Sequence, residues 1–185
     1  MLGASREAFA LAEEQDAARG RLDAARIAAF AARQLSGATR IASFSIGGWD
    51  THARQAQRIQ QPLGELETAI LELRRGLGTH WDRTAVVAVS EFGRTARANG
   101  AGGTDHGHGG AIVLAGGAIR GGRAFGRWPG LGEGRLYQDR DLMPTGDARR
   151  TLGWLLAGLY GLDGSSLENY VFPGLDLGGD PGVIA

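Results

Sequence analysis

Apolar residues recur at spacings of three and four in four parts of the chain, which predicts amphipathic helices there. The first two are a short helix from Ser5 to Glu14 and an alanine-rich helix from about Arg21 to Leu35. A long helix is predicted from about Ala53 to Gly78, and a last one from Asp147 to Tyr160. The pattern therefore predicts helices near both ends and in the middle of the chain.

Each helical pattern also predicts which side chains face a core. The apolar residues that share a face are Leu22, Ile27, Phe30 and Leu35 in the alanine-rich helix, Leu63, Leu66, Ile70, Leu73 and Leu77 in the long helix, and Leu152, Leu155, Leu156 and Leu159 in the last. Pro62 is expected to kink or restart the long helix, because proline lacks the N–H that a helix interior needs.

β-branched and aromatic residues predict strands at Ile41 to Ile46, Thr84 to Ser90 and Ala111 to Ala115. The second of these is apolar on both faces, as in a central strand of a parallel sheet. Between Gly116 and Tyr137, turn residues predict irregular structure. The alternation of strands and helices predicts the α/β fold class: a layered α/β/α sandwich with a mostly parallel sheet, in a single domain over residues 1–185.

Composition and charge narrow the function classes. Lys and Arg total 20 and Asp and Glu total 20, so the formal net charge is zero and no basic field favours nucleic-acid binding. The absence of cysteine excludes disulfides, thiolate zinc sites and cysteine nucleophiles. No apolar stretch reaches the roughly 18 residues of a membrane span, and Met1 to Glu7 does not resemble the start of a signal peptide.

Three polar clusters lie beside the predicted strands. They are Gly47–His52 after the first strand, Ser90–Thr95 at the end of the second, and Gly103–Gly110 before the third. These clusters contain three of the four histidines, each near an aspartate. Because ligands bind at strand ends in open α/β sheets, we expect the clusters to form a site.

Carboxylates and imidazoles are the ligands of zinc, manganese and iron at hydrolytic centres. Asp50 and His52 are one residue apart, so in an extended segment both side chains point to the same side. The run from Asp105 to His108 offers ligands at alternate positions in the same way. The sequence therefore predicts a site for a divalent metal ion, with zinc, manganese and calcium all open. Its candidate ligands are Asp50, His52, Glu91, Asp105, His106 and His108.

Structural roles for these residues stay open at this point. Asp50 or Thr51 could cap the helix that follows them. Arg94 could form an ion pair with Glu91 or Asp105, or it could hold two oxygens of a phosphate or sulfate group. His80, outside the clusters, is expected to be a surface or capping residue.

The three clusters also carry a family resemblance. Gly-Gly-Trp-Asp-Thr-His at 47–52, Ser-Glu-Phe-Gly-Arg-Thr at 90–95 and Gly-Thr-Asp-His-Gly at 103–107 resemble the signature of a bacterial family called domain of unknown function 1501. The resemblance covers nearly the whole chain. That family is grouped with the alkaline-phosphatase-like and sulfatase-like superfamily, which implies a metal-dependent hydrolase acting on phosphate or sulfate esters.

The resemblance implies roles for individual residues. Asp50 and His52 resemble the superfamily's Asp and His after one strand, and His106 or His108 resembles its last His. These residues are therefore the implied metal ligands, and a small anionic ester is the implied substrate.

The Ser90–Thr95 cluster departs from the superfamily pattern. Glu91 and Phe92 stand where an Asp-His-Gly is expected, so Phe92 removes a ligand. Asp105 compensates for that loss, or one ion binds instead of two. Glu91, as ligand or base, and Arg94, as the group that holds the anion, are the implied catalytic residues.

A second departure concerns the nucleophile. Superfamily hydrolases carry a Ser, Thr or modified Cys at a helix N-terminus after an early strand, whereas only helices are predicted before Ile41. The chain therefore resembles the C-terminal portion of a longer family member, which by resemblance would be periplasmic or exported. The alternative function is a catalytically inactive scaffold or binding module of an exported bacterial protein. A second copy of the chain could cover an exposed sheet edge.

Overall fold

The computed structural model describes the backbone of residues 2–185 and the side chains of residues 18–185. Its helices are α1 Leu2–Leu35, α2 Gln55–Arg58, α3 Gln60–Leu77, α4 Ala148–Tyr160 and α5 Gly164–Ser166, with a 3-10 turn at Gly78–Arg83 and a π turn at Leu167–Val171. Its strands are β1 Val86–Ala88, β2 Gly93–Arg94, β3 His106–Gly107 and β4 Val113–Ala115. The chain is therefore a mixed structure of helices and short strands.

The chain folds into two compact units. The first comprises residues 1–79 and 101–103, and the second comprises residues 80–100 and 104–185. The first unit contains α1, α2 and α3, and the second contains the four strands with α4 and α5. The predicted single domain over residues 1–185 stays a prediction.

In the first unit, α1 packs against α3 through small residues. Among the described side chains of α1, from residue 18 onward, the buried ones are Ala24, Ala28, Ala31 and Ala32. A side chain added at Gly76 of α3 would start 2.7 Å from the Cβ of Ala32, so the helices approach closely. Leu22 is 60% exposed, Phe30 is 54% exposed, and Ile27 is also exposed. The predicted buried stripe through these three residues is wrong, because the close packing at the helix interface uses alanine instead.

Helix boundaries in the first unit differ from those predicted. The two helices predicted before residue 36 form the single helix α1. The break expected at Pro62 lies at Ile59, and Pro62 sits in the first turn of α3, where an N–H would have no intrahelical acceptor. On the predicted apolar face, Leu73 and Leu77 are buried as expected, but Leu63 is exposed.

In the second unit, α4 confirms the predicted helix that ends at Tyr160. Its N-cap is Asp147, whose carboxylate accepts a hydrogen bond from the backbone N–H of Arg149. Its C-cap is Gly161 in the left-handed conformation, with a φ of 69°. The helix packs on a core cluster made of Leu167, Leu175 and Leu177 with Trp154, Leu156, Ala157 and Phe172.

The strands of the second unit form two short ladders. β1 pairs with β4, with Val87 opposite Leu114, and β2 pairs with β3, with Arg94 opposite His106. β1 and β4 lie inside predicted strands, but both ladders are antiparallel, so residues 2–185 contain no parallel sheet of the predicted kind. Apolar periodicity reports the burial of a strand, whereas its direction depends on the connection between strands.

The predicted strand Ile41 to Ile46 joins no ladder in the described residues. Its side chains still alternate, because Phe44 and Ile46 are half-buried while Ser45 between them is exposed. β-propensity measures how well a residue fits a sheet surface, and a sheet needs a neighbouring strand. The prediction of a strand here is therefore wrong for this structure.

The predicted irregular stretch from Gly116 to Tyr137 contains no helix and no ladder strand. Gly122 and Gly130 in this stretch adopt positive φ values of 77° and 90°, which are typical of glycine in turns. Among the described residues, the helices are too short or too polar to cross a membrane.

Candidate metal centre

The Gly47–His52 cluster belongs to the first unit and brings its Asp and His together. Nε2 of His52 lies 2.9 Å from Oδ1 of Asp50, and the two side chains are 46% and 54% exposed. The N–H of His52 also donates to the carbonyl of Asp50 at 3.2 Å, so a tight turn, and not the extended segment assumed from the spacing, brings the two side chains together. The first unit therefore presents an imidazole and a carboxylate to solvent as one pair.

Helix capping does not account for this pair. The N-cap of α2 is Arg54, in the left-handed conformation with a φ of 47°, and no side chain caps the helix. Thr51 is buried, and its hydroxyl donates to the side-chain oxygen Oε1 of Gln55 at 2.9 Å. Asp50 and Thr51 are therefore not the caps of α2.

A glycine-rich segment fixes the backbone next to His52 within the first unit. The N–H groups of Arg54 and Gln55 donate to the carbonyls of Ala101 and Gly102 at 3.0 and 2.9 Å. A side chain on Gly103 would start 2.2 Å from the carbonyl carbon of His52. Glycine is thus required where this segment passes the Asp-Thr-His peptide.

In the second unit, hydrogen bonds join the Ser90–Thr95 cluster to the Gly103–Gly110 cluster. Arg94 donates through Nε to Oγ1 of Thr104 at 2.9 Å, and through Nη2 to the Thr104 carbonyl. The N–H of Asp105 donates to Oγ1 of Thr95 at 3.1 Å, and Nδ2 of Asn99 donates to Oδ1 of Asp105 at 3.0 Å. These bonds fix the position of the Asp105 carboxylate.

Glu91 and Arg94 do not pair with each other. Glu91 is exposed and forms no ion pair within the described part of the chain, whereas Arg94 is half-buried and bonded to Thr104. The predicted Glu91–Arg94 ion pair is therefore wrong. Arg94 holds the loop that carries the third cluster, and Glu91 keeps its carboxylate towards solvent.

His106 lies on β3, directly opposite Arg94. Its ring stacks on Phe92, with centroids 3.9 Å apart and planes 19° from parallel. Phe92 therefore supports the ring of a candidate ligand.

His108 is held by a residue that the candidate ligands do not include. Its Nδ1 donates to Oδ2 of Asp141 at 2.6 Å, and Nε of Arg140 donates to Oδ1 of the same carboxylate at 2.7 Å. Hydrogen bonds from His108 and then from Arg140 lower the pKa of Asp141 below its usual value, against the opposing effect of desolvation. The carboxylate is therefore ionised although it is buried.

Sequence reasoning missed Asp141 because nothing in the local pattern marks a buried carboxylate. Residues 137–141 form a tight turn in which Asp141 donates its N–H to the carbonyl of Tyr137. The family resemblance, which covers nearly the whole chain, includes Asp141 but assigns it no role. Its link to His108, 33 residues earlier, appears only in the folded chain.

The candidate ligands thus fall into two sets. Asp50 and His52 are paired in the first unit, and the second unit holds Glu91, Asp105, His106 and His108. All six are exposed or half-exposed carboxylates and imidazoles, which suits a hydrated divalent ion. His80 is exposed in the 3-10 turn, as expected for a surface residue.

The similarity of this chain to a known protein family extends over most of its length. A family model described as a protein of unknown function (DUF1501) matches residues 1–169. No curated protein and no solved structure matches the chain.

Proposed function

The chain belongs to the DUF1501 family, and on that premise we propose that it is a metal-dependent hydrolase-like domain acting on phosphate or sulfate esters. We also propose its relationship to the alkaline-phosphatase-like and sulfatase-like superfamily. The proposal rests on the chemistry of the polar clusters and not on the family match alone.

The observation that carries the proposal is the Asp50–His52 pair. A carboxylate and an imidazole lie 2.9 Å apart, both about half exposed, and neither Asp50 nor its neighbour Thr51 caps the next helix. Carboxylate and imidazole together form the usual ligand set of a hydrolytic metal centre. A divalent ion bound there supplies Lewis acidity towards a phosphoryl or sulfuryl oxygen.

The second unit carries its own set of candidate metal ligands. Asp105, His106 and His108 would hold metal, and the exposed carboxylate of Glu91 would act as a ligand or as a base. Asn99 and Thr95 keep the Asp105 carboxylate in place. Phe92 does the same for the His106 ring.

Arg94 would contribute charge to the binding of the anionic ester. Its Nε and Nη2 atoms are already hydrogen-bonded to Thr104, so it would act mainly through its electrostatic field. The same bonds fix the loop that bears Asp105. Loss of Arg94 would therefore weaken both substrate binding and the ordering of that loop.

A second candidate function is a catalytically inactive scaffold. Two observations favour it: Phe92 replaces a histidine expected by resemblance, and Arg94 donates to the loop. A scaffold of this kind would bind metal without turning over an ester.

The hydrolase is tested with aryl-phosphate and aryl-sulfate substrates after reconstitution with zinc, manganese or calcium. Wild type is compared with Asp50→Ala, His106→Ala and the control His80→Ala, which changes an exposed histidine outside the clusters. We expect turnover in wild type and in the control, and loss of about 100-fold or more in the other two variants. Metal binding without turnover of either ester class would overturn the hydrolase and leave the scaffold.

A further inference from the structure

Asp141 is the buried charge nearest to the candidate ligands of the second unit. Its side chain is 1% exposed, and it accepts hydrogen bonds from His108 and Arg140. Arg140 also donates through Nη2 to Oδ2 of Asp141 at 3.3 Å and to the carbonyl of His106 at 3.2 Å. One buried carboxylate and one arginine therefore contact two residues of the Asp105–His108 run.

Backbone hydrogen bonds hold Asp141 in this place. Tyr137 and Asp141 exchange hydrogen bonds, each N–H donating to the other's carbonyl at 3.0 Å. The carbonyl of the next residue, Leu142, accepts a hydrogen bond at 3.0 Å from the N–H of Gly109, which directly follows His108. The carboxylate and the imidazole are thus tied together through the backbone on both sides.

Gly107 is needed for the same approach. A side chain there would start 3.1 Å from Cγ of Asp141 and 2.7 Å from the carbonyl carbon of Arg94. The glycine between His106 and His108 therefore lets the Asp141 carboxylate reach the chain beside His108.

The direction of the His108 hydrogen bond follows from the acceptor. An ionised carboxylate can only accept, so Nδ1 carries the proton and a neutral ring leaves the lone pair on Nε2. Nε2 forms no hydrogen bond within residues 18–185, the ring is about half exposed, and Tyr137 lies against it with centroids 4.6 Å apart. The ring is therefore fixed with one nitrogen available.

We propose that Asp141 is a positioning residue that holds His108 in its Nδ1–H tautomer, so that Nε2 is the atom presented to a divalent cation. A carboxylate that accepts from one ring nitrogen of a metal-binding histidine fixes the tautomer and the orientation of the ring. The tautomer of His108 follows from its hydrogen bond to Asp141 alone, whereas the role of Nε2 as a metal donor rests on the proposed function.

A purely structural ion pair is the competing interpretation. Arg140 and Asp141 would then hold the 137–141 turn, and the tautomer of His108 would be incidental. The two interpretations differ in the variant Asp141→Asn, because an amide of the same shape can either accept from Nδ1 or donate to it. Only the positioning role ties this change to metal affinity.

The experiment combines two measurements on the whole chain. The first is long-range ¹H–¹⁵N NMR of ¹⁵N-histidine-labelled protein at a pH where His108 is neutral, with its signals assigned through His108→Gln. The second is titration with Zn²⁺ alone. Wild type is compared with Asp141→Asn and with the control Asp139→Asn, which changes an exposed carboxylate two residues away and keeps a residue type suited to the positive φ of 54°.

We expect wild type and the control to show the Nδ1–H tautomer, and Asp141→Asn to show a mixture or the Nε2–H tautomer. Zn²⁺ affinity should fall about 10- to 100-fold in Asp141→Asn and stay unchanged in the control. An Nε2–H tautomer in wild type would overturn the inference, whether or not Asp141→Asn folds. Unchanged Zn²⁺ affinity in folded Asp141→Asn would overturn the positioning role. Wild type that binds no Zn²⁺ would instead contradict a zinc centre with His108 as its donor, while the NMR result would still decide the tautomer.

Discussion

Asp141 shows how a buried charge is tolerated in this chain. Desolvation disfavours its ionised form, but hydrogen bonds from His108 and Arg140 outweigh that effect and lower its pKa. Removing one partner of such a group is costly, because the remaining charge stays buried without compensation. At the residue scale, the second unit therefore depends on the close backbone approach at Gly107 and on a hydrogen-bond partner for each carboxylate oxygen of Asp141.

Gly107→Ala tests this close approach. The added methyl group would start 2.7 Å from the carbonyl carbon of Arg94, so the β2–β3 ladder must shift. We expect a loss of about 1–3 kcal/mol in the free energy of unfolding, measured by urea denaturation. The control is Gly146→Ala, where an added Cβ has no neighbour within 4 Å and we expect a change within about 0.5 kcal/mol. Equal midpoints for the two variants would contradict the described packing.

At the element scale, α1 and α4 show two ways in which a helix is stabilised. In the described part of α1, a row of alanines is buried against α3, while Leu22, Ile27 and Phe30 are exposed. α4 relies on defined caps at both ends, Asp147 and Gly161. Each arrangement predicts a different response to mutation.

The packing of α1 is tested by a pair of substitutions. Ala28 is fully buried, so Ala28→Leu should overpack the interface and lower the free energy of unfolding by about 1–3 kcal/mol. Leu22 is 60% exposed, so Leu22→Ala should change it by less than about 0.5 kcal/mol. A loss of about 2–5 kcal/mol in Leu22→Ala would instead restore the buried stripe that periodicity predicts.

The N-cap of α4 predicts a dependence on pH. Hydrogen bonds from Arg149 lower the pKa of Asp147, so its ionised form stabilises the fold above the unfolded-state pKa of about 3.9. That contribution should be lost as the pH falls through the lowered pKa of the folded state. Asp147→Ala should cost about 0.5–2 kcal/mol at neutral pH.

The matched variant for this prediction is Asp147→Asn. An asparagine still caps the helix but has no charge to titrate, so it should keep most of the stability at neutral pH. Its unfolding free energy should also lose part of the wild-type dependence on pH below 4. Identical pH profiles for wild type and Asp147→Asn would show that the carboxylate charge does not contribute.

At the scale of the whole molecule, sequence periodicity predicted what depends on local pattern. The bounds that it predicted for α3 and α4 are close to those observed, and β1 and β4 lie inside predicted strands. It did not predict that the strands are antiparallel, because the pairing of Val87 with Leu114 depends on how the chain between them folds. It also overvalued large side chains in α1, because a face of alanines has little weight in a hydrophobic pattern.

The candidate site, too, could be predicted only where it depends on local sequence pattern. The spacing of Asp50 and His52 predicted their proximity, since only one residue separates them. Asp141 could not be predicted, because its partner His108 is far away in sequence and its burial is a property of the folded chain. Hydrolysis of an ester by these residues remains a proposal, and it depends first on whether the chain binds metal.

The metal content of the purified chain, measured by elemental analysis after reconstitution and dialysis, tests that central claim most directly. We predict a stoichiometric divalent transition metal or calcium in wild type and in His80→Ala, and a reduced content in Asp50→Ala and His106→Ala. The molar ratio gives the number of ions that the chain binds. Wild type without stoichiometric metal, or with a content unchanged in Asp50→Ala and His106→Ala, would contradict the account.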